Sequence, residues 1–453
     1  MSVDLNKQSL AIRQRMKSCP LPGGYALPVM DRSEKAQRLA TRLMLQALLA
    51  AHRTAHTYPK IAENWQRLLL LSQELRKTTT NNHQPVDKDL TPTALWRKES
   101  FSLRGTTGQE YQVAQLNPTT TPNNKLVVLL GGLGMSTEAY FRIGEKCSAV
   151  GEPILDRLTK RGFTVIILDL PGIGKNDRYQ AANREMAAML AEVMPSFVEF
   201  LTSQQRRFSA GLYFLTHSLG GLVLNLYLDQ HQEEVKANKT LAKLFKNIMT
   251  LGGPEVPVID VHPIYPLAMG LVAGFGPLLP AIPYQALGKA AGRYIPYPAL
   301  IGGNLSLVSY YRDFPPQLLQ EMFNYATKNF SLGLAQMLCQ AFWSGSYPGE
   351  NGHAPMVTTG QRHVRLIGHN DPLAPVESLY LRLAHPEIAE QTALVRIQGD
   401  QTGLRQAQDF LKTVPLLGVA VDNLHHLDCS CPNPNFEKTV WPMIEAFLGL
   451  LNN

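Results

Sequence analysis

From about residue 100 onward, short apolar runs alternate with segments of helical periodicity, and this alternation limits the possible folds more than any other feature. Eight runs have the length of strands: Tyr111–Leu116, Leu126–Leu130, Thr164–Leu170, Leu212–Thr216, Asn247–Leu251, Val364–Ile367, Leu394–Ile397 and Leu417–Val421. Continuous apolar runs are typical of strands that are covered on both faces. Alternating with helices, they predict an α/β fold with a mostly parallel sheet and helices on both faces.

The predicted core is interrupted once. Between the fifth and sixth runs lie about a hundred residues rich in Pro, Gly, Tyr and Phe, which is too long for a plain connection. We therefore predict a core in two parts, residues 96–253 and 356–453, with a lid or cap subdomain inserted at residues 254–355.

Residues 1–95 differ in character from the core. Apolar residues repeat at helical spacing around Leu39–Leu48 and Trp65–Leu75, and the polar linker Thr78–Pro92 follows, which predicts a helical hairpin extension. Residues 1–100 hold 16 Lys and Arg against 8 Asp and Glu, whereas the remaining chain holds 27 against 28. This positive surplus suggests peripheral contact with an anionic membrane or an acidic partner, although a solvated helical face has the same composition. No nucleic-acid-binding module is visible.

Composition also bears on the compartment. The five cysteines are few, odd in number and scattered, so a disulfide framework is not expected. The first twenty residues lack the apolar core of a secretory signal, and the uncharged span Val261–Gly288 is broken by five prolines, which makes a poor membrane helix. We expect a soluble cytoplasmic protein, with leaderless export as the remaining alternative.

The strongest chemical signal is the segment Leu212–Gly221, in which an apolar strand runs directly into Thr-His-Ser-Leu-Gly and then into a helical pattern. A sharp strand–turn–helix connection of this kind exposes a nucleophilic serine, here Ser218, and requires small residues on either side. Thr216 stands where glycine is usual, so the match is imperfect. A chance Ser-x-Gly at a helix start, with the serine as N-cap, is the alternative.

Two glycine-containing strand ends precede this turn. The run after Lys125 ends in Gly-Gly-Leu-Gly, and we expect the backbone N–H of Leu133 to lie opposite that of Leu219. Two such donors would form an oxyanion hole for a tetrahedral intermediate. The next run leads into Asp169 and the Pro-Gly-Ile-Gly loop, whose spacing fits no dinucleotide or Walker motif.

These three motifs, in this order, resemble the α/β-hydrolase superfamily of serine esterases and lipases over roughly residues 100–450. The resemblance implies a Ser-Asp-His triad along the chain. It carries the acid over to Asp371, in a Gly-x-x-Asp-Pro loop after an apolar run. However, 55 residues separate Asp371 from the histidine region, which indicates an extra strand and helix at Leu394–Thr413 and leaves Asp400 as a rival acid.

The base is expected in the pair His425 and His426, which follows the last apolar run. The residues after His426 fit the family pattern better, and His425 stays as the rival. Both histidines with Cys429 and Cys431 could offer soft ligands to a metal, but no second cysteine pair lies at zinc-site spacing. We therefore predict neither a metal nor another cofactor.

The inserted segment bears on the substrate. Its uncharged span would suit an acyl chain near the nucleophile, although packing of a lid onto the core would require the same composition. The resemblance and the triad imply a serine hydrolase of the carboxylesterase, lipase or phospholipase type, which cleaves a carboxylic ester with an apolar acyl group. An acyltransferase or thioesterase would use the same triad, and a catalytically silent fold that binds a membrane or partner is the alternative from another class.

Overall fold

The computed structural model describes residues 94–144, 151–171, 176, 186, 189–255, 281–282, 326, 330–331, 334, 338, 341, 347, 361–369, 371, 374, 376–384, 388–422, 424 and 426–450. The predicted N-terminal hairpin and most of the predicted lid, including Val261–Gly288, lie outside these residues. The domain boundaries at residues 95, 253 and 355 therefore stay predictions.

A nine-stranded sheet forms the core. Its strands are β1 (Trp96–Arg104), β2 (Glu110–Pro118), β3 (Lys125–Leu130), β4 (Thr164–Leu168), β5 (Gly211–His217), β6 (Asn247–Leu251), β9 (Arg362–Gly368), β10 (Thr392–Ile397) and β11 (Leu416–Val421). The short strands β7 (Ala281–Ile282) and β8 (Phe330–Ser331) form a separate antiparallel ribbon. The order across the main sheet is β1-β2-β4-β3-β5-β6-β9-β11-β10. The seven strands from β4 to β10 in this order run parallel, and β2 joins them antiparallel.

All eight apolar runs are strands of this sheet. The parallel strands β4, β6 and β11 are buried at every position, since helices cover both faces. Strand β1, which the apolar pattern missed, is an edge strand that alternates buried or half-buried with exposed residues along most of its length. The fold class predicted from the sequence is confirmed.

Helices connect the parallel strands. In chain order the described ones are α1 (Thr137–Phe141), α2 (Ile154–Lys160), α3 (Met194–Gln204), α4 (Leu219–Gln230), α5 (Gln232–Ala237), α6 (Lys239–Leu244), α7 (Val376–Leu383), α8 (Gln401–Thr413) and α9 (Trp441–Phe447). Two π-helical turns, Met189–Val193 and Phe436–Val440, lead into α3 and α9. Short 3-10 turns lie at Gln205–Arg207, Ala389–Gln391 and Leu427–Cys429. Among the described helices, none combines the length and apolarity needed to cross a membrane.

The sheet separates two apolar layers. Along β3, Val127 and Leu129 belong to the layer that packs against α2 and α9, whereas Leu126, Val128 and Leu130 belong to the layer with α3 and α4. Each of these side chains is inaccessible to solvent. Burial of a side chain of this size stabilises the fold by about 1.5–3 kcal/mol, so the central strand is held from both faces.

The long spacing between Asp371 and His426 has a structural explanation. Strand β10 and helix α8 lie between β9 and β11 in the chain, but β11 pairs with β9 and β10 is added beyond it at the sheet edge. The residues that follow β9 and β11 therefore stay neighbours, as if the extra unit were absent. The predicted extra strand and helix are present at Thr392–Ile397 and Gln401–Thr413.

One buried histidine of the sheet predicts how stability responds to acid. Burial, with a smaller contribution from nearby Arg365, lowers the pKa of His363 in β9 from 6.5 to about 3. The unfolded chain therefore binds more protons, so His363 lowers stability as the pH falls from about 6.5 towards 3. Between pH 7 and pH 5 this amounts to roughly 2 kcal/mol.

Urea denaturation at pH 7 and pH 5 measures this effect. We expect His363→Leu to reduce the loss of unfolding free energy between the two pH values by roughly that amount. An equal acid loss in wild type and His363→Leu would contradict the prediction.

Candidate active site

Ser218 lies at a strained turn between β5 and α4. Its backbone has φ 52° and ψ −121°, a conformation that residues with a Cβ rarely adopt. The turn is held by a hydrogen bond from the Ser218 N–H to the Leu251 carbonyl at 3.0 Å. The side chain thus stands at the carboxyl end of β5, as predicted for a nucleophile elbow.

Close packing explains the small residues around this turn. A Cβ added to Gly220 would lie 2.7 Å from both the Cβ and the carbonyl oxygen of Leu130, so only glycine lets α4 begin against the end of β3. Thr216 needs no such freedom because it lies in the extended strand β5. Its hydroxyl group is 3.1 Å from that of Thr250 on β6, so the imperfect match at this position is accommodated.

The structure brings Ser218, His426 and Asp371 into one hydrogen-bonded chain. The Nε2 atom of His426 is 2.9 Å from the Ser218 Oγ, and its Nδ1 is 2.7 Å from the Asp371 Oδ2. Asp371 follows β9 and His426 follows β11, so all three side chains stand at the carboxyl ends of parallel strands, with β6 between β5 and the adjacent pair β9 and β11. Ligands of open α/β sheets bind at the carboxyl ends of the strands.

The imidazole and carboxylate are almost fully shielded from water. Their side chains are 7% and 0% exposed, respectively. The second carboxylate oxygen, Oδ1, accepts a hydrogen bond from the Ala374 N–H at 3.0 Å. This bond fixes the orientation of the carboxylate, so that Oδ2 faces the imidazole.

Gly252 lies against the Asp371–His426 hydrogen bond and was not predicted from the sequence as a site residue. It has a positive φ of 56°, and an added Cβ would lie 3.3 Å from His426 Nδ1 and 3.5 Å from Asp371 Oδ2. A larger residue would crowd the hydrogen bond between these two groups. The available signal was a glycine directly after the apolar run at Asn247–Leu251, but a glycine at this position is equally typical of an ordinary turn.

The loop after β3 also lies close to Ser218. A Cβ on Gly132 would be 3.2 Å from the Ser218 Cβ, and Leu133 follows in a half-buried turn. The loop is shaped by Thr137, whose hydroxyl accepts from the Gly131 N–H and donates to the Leu168 carbonyl. Asp169 accepts a hydrogen bond from the Thr137 N–H at 2.6 Å, so its carboxylate helps to hold the loop after β3 in place.

The rival residues fall elsewhere or outside the described chain. Asp400 is the N-cap of α8, where its carboxylate accepts from the Gly403 N–H at 3.2 Å, on the connection that follows edge strand β10. His425 lies outside the described residues. Cys429 and Cys431 are buried, and burial raises the pKa of Cys429 well above its ordinary value. Within the described part of the chain, no cluster of three or more His, Cys, Asp or Glu could hold a metal ion.

A family model matches part of the chain. A family model described as serine aminopeptidase, S33, matches residues 123–258, which include β3, Asp169 and the Ser218 turn. No curated protein matches the chain.

Solved structures match the chain at low identity. A monoacylglycerol lipase of Paleococcus ferrophilus is 16% identical, with 78% of this chain and 99% of the other covered and a TM-score of 0.39. An esterase of Pyrococcus furiosus is 15% identical, with 81% and 97% covered and a TM-score of 0.41. A soluble variant of the Saccharomyces cerevisiae monoglyceride lipase is 14% identical, with 81% and 98% covered and a TM-score of 0.42.

Likenesses of this degree add nothing to the assignment, which rests on the matched family model, the sheet and the strained serine turn. The resemblance predicted from the three sequence motifs is confirmed. The chain has the α/β-hydrolase fold, and its residues 123–258 match a family model of serine hydrolases with this fold.

Proposed function

We propose that this protein is a serine hydrolase that cleaves carboxylic esters through Ser218, His426 and Asp371. The observation that carries the proposal is the hydrogen-bonded chain from Ser218 Oγ through the imidazole to the Asp371 carboxylate, with distances of 2.9 and 2.7 Å. A nucleophile, a base within reach of its proton and a carboxylate that orients the base are the three parts that acyl transfer requires.

In the proposed mechanism, Ser218 Oγ attacks the ester carbonyl carbon while His426 Nε2 accepts the hydroxyl proton. The carbonyl π electrons move to oxygen and form a tetrahedral oxyanion. His426 then returns the proton to the alkoxy leaving group, the C–O bond breaks, and an acyl-enzyme remains on Ser218. Water attacks this intermediate with the same base, which releases the acid and restores the serine.

Asp371 and two backbone groups would support the charges that develop. The carboxylate holds the Nδ1–H of His426 and stabilises the imidazolium, and its complete burial strengthens that interaction. The N–H groups of Leu133 and Leu219 are the proposed oxyanion donors. The closeness of Gly132 to Ser218, and the start of α4 directly after the serine, support this assignment.

We further propose that residues 254–355 form a lid over this site, between the core segments 96–253 and 356–453. Two contacts support this placement. The Ala326 carbonyl accepts from the Ser136 N–H at 2.9 Å, next to the loop that carries Leu133, and buried Leu334 and Tyr347 belong to the same apolar layer as Leu219. The uncharged span 261–288 within this segment is the basis for proposing an apolar acyl group.

A series of nitrophenyl esters from acetate to dodecanoate tests the acyl preference. We expect kcat/KM to rise by roughly fourfold for each methylene that enters an apolar pocket, since burial of one CH2 contributes about 0.8 kcal/mol. Each ester is also measured with Ser218→Ala to subtract hydrolysis that does not use the site. Acetate as the best substrate would contradict an acyl pocket and leave the esterase proposal standing.

Two kinds of alternative function remain: another enzyme that uses the same triad, and a binding module without activity. An acyltransferase or thioesterase would pass the acyl group to an alcohol or release it from a thioester, so acyl-thioesters and added alcohol acceptors belong in the same assay. Peptide amides belong there too, because the matched family model is described as an aminopeptidase. A silent binding module would leave all of these substrates unchanged, and the complete hydrogen-bonded chain argues against it.

Membrane contact and cytoplasmic location stay predictions from the sequence. The surplus of positive charge in residues 1–100 supports peripheral binding to anionic vesicles. Vesicle co-sedimentation of the full chain and of a form lacking residues 1–90, at low and high salt, tests the contact. Equal salt-sensitive binding by both forms would exclude the basic segment as its source.

A further inference from the structure

His217 is a buried titratable side chain at the site that the proposed mechanism does not use. It directly precedes Ser218 at the end of β5 and is 1% exposed. Its imidazole lies between the rings of Tyr140 from α1 and His426, with centroids 4.8 Å from each. It therefore packs directly against the ring of the proposed base.

The hydrogen-bond geometry defines which nitrogen of His217 carries the proton. Its Nε2 is 3.2 Å from the main-chain carbonyl oxygen of His426. A carbonyl oxygen can only accept, so the contact requires the proton on Nε2. The Tyr140 hydroxyl lies 3.2 Å from the same nitrogen and also contacts the Ser430 hydroxyl, so three side chains and one carbonyl form a continuous network.

The other nitrogen faces glycine. Among the described residues, Nδ1 of His217 has no hydrogen-bond partner. A Cβ added to Gly132 would lie 3.1 Å from it, so the loop after β3 approaches this edge of the ring closely. An unprotonated Nδ1 suits that position, because a buried N–H without a partner is the rarer arrangement in folded proteins.

His217 also stays uncharged. Burial, and to a lesser extent the neighbouring His426, hold the pKa of His217 well below its ordinary value. The titratable groups that face it are Tyr140 from α1 and His426 from the loop after β11, and neither supplies a negative charge near pH 7. A neutral neighbour leaves the imidazolium that forms on His426 during acyl transfer free of like-charge repulsion.

We propose that His217 is a positioning residue whose neutral, Nε2-protonated imidazole holds the His426 main chain so that the His426 ring faces Ser218. This inference rests on the proposed function of His426 as the base. Two contacts then orient that base: Asp371 holds the ring at Nδ1, and His217 holds the backbone of the same residue, with Tyr140 and Ser430 behind it.

A pair of amide substitutions tests the proposal. In His217→Gln the side-chain amide can reach the position of Nε2 and donate to the His426 carbonyl, whereas in His217→Asn it is one methylene too short. We expect His217→Asn to lower kcat by roughly 10- to 100-fold with KM little changed, because a misplaced base slows the chemical step. We expect His217→Gln to recover most of this loss.

The amide pair separates positioning from packing. Both variants lose the aromatic ring, so a purely structural role would lower their activity and melting temperature together, without rescue by glutamine. Equal kcat values in His217→Asn and His217→Gln would overturn the proposal. The rate of fluorophosphonate labelling gives the same comparison without a substrate.

A second measurement does not depend on activity. With ¹⁵N-labelled histidine, the imidazole signals that vanish in His217→Gln belong to His217. We expect them to report a neutral ring protonated at Nε2 from pH 5 to pH 8, whether or not the protein turns over an ester. A charged ring, or a proton on Nδ1, would overturn the inference even if the serine is active, and failed labelling with the expected spectrum would refute the proposed function alone.

Discussion

Replacement of Ser218 by alanine is expected to abolish labelling by a fluorophosphonate and to lower kcat/KM for esters by about 10⁴- to 10⁶-fold. The alanine variant lacks the Oγ that lies 2.9 Å from His426 Nε2, and no acyl-enzyme can form without it. The remaining rate would come from oxyanion stabilisation and substrate binding alone. Gel fluorescence after labelling and steady-state hydrolysis of a nitrophenyl ester measure the two effects.

The matched control is Ser209→Ala. Ser209 is exposed and lies just before the opposite, amino end of β5, so its hydroxyl is remote from His426. Its loss should change neither labelling nor hydrolysis. Undiminished labelling of a folded Ser218→Ala protein would refute Ser218 as the nucleophile. Absence of labelling in the wild type would favour a binding module over an enzyme.

Replacement of Asp371 by asparagine is expected to lower kcat at neutral pH by about 10⁴-fold. Asparagine fits the same space, but its amide can present an N–H to His426 Nδ1, and this favours the tautomer that has no lone pair facing Ser218. It also removes the negative charge that stabilises the imidazolium. Because the imidazole is 7% exposed, water cannot substitute for the missing carboxylate.

Asp400→Asn is the control for this variant, since Asp400 was the rival acid in the sequence. Asparagine is as good an N-cap as aspartate, so the hydrogen bond from the Gly403 N–H is retained and stability should change by less than about 0.5 kcal/mol. Its kcat should equal that of wild type. A large loss in Asp400→Asn, with Asp371→Asn unaffected, would reverse the assignment of the acid.

Much of the fold could be predicted from the sequence because the parallel strands are buried on both faces. Burial of that kind leaves continuous apolar runs, and all eight runs proved to be strands of one sheet. Edge strand β1 escaped detection because it carries Arg97, Lys98 and Glu99 and alternates in burial along most of its length. The strained turn at Ser218 was also visible, since strand, serine, small residues and helix are adjacent in the chain.

The partners of Ser218 depended on the tertiary structure. Asp371 is 55 residues from His426 and Ser218 is 208 residues away, so local pattern left Asp371 and Asp400 as alternatives. Both carboxylates follow an apolar run, and only the strand order distinguishes them. Because β11 pairs with β9 while β10 lies at the edge, Asp371 meets the imidazole and Asp400 caps a helix.

The sequence by itself determined the features that arise between residues close in the chain: the buried strands, the serine turn and the α/β class. Only the tertiary structure decided which side chains meet at the carboxyl edge of the sheet, including Gly252 beneath the Asp371–His426 bond and His217 against the His426 ring. The physical reason is that these contacts follow from which strands are neighbours, and strand order is set by packing of the whole sheet rather than by any local pattern.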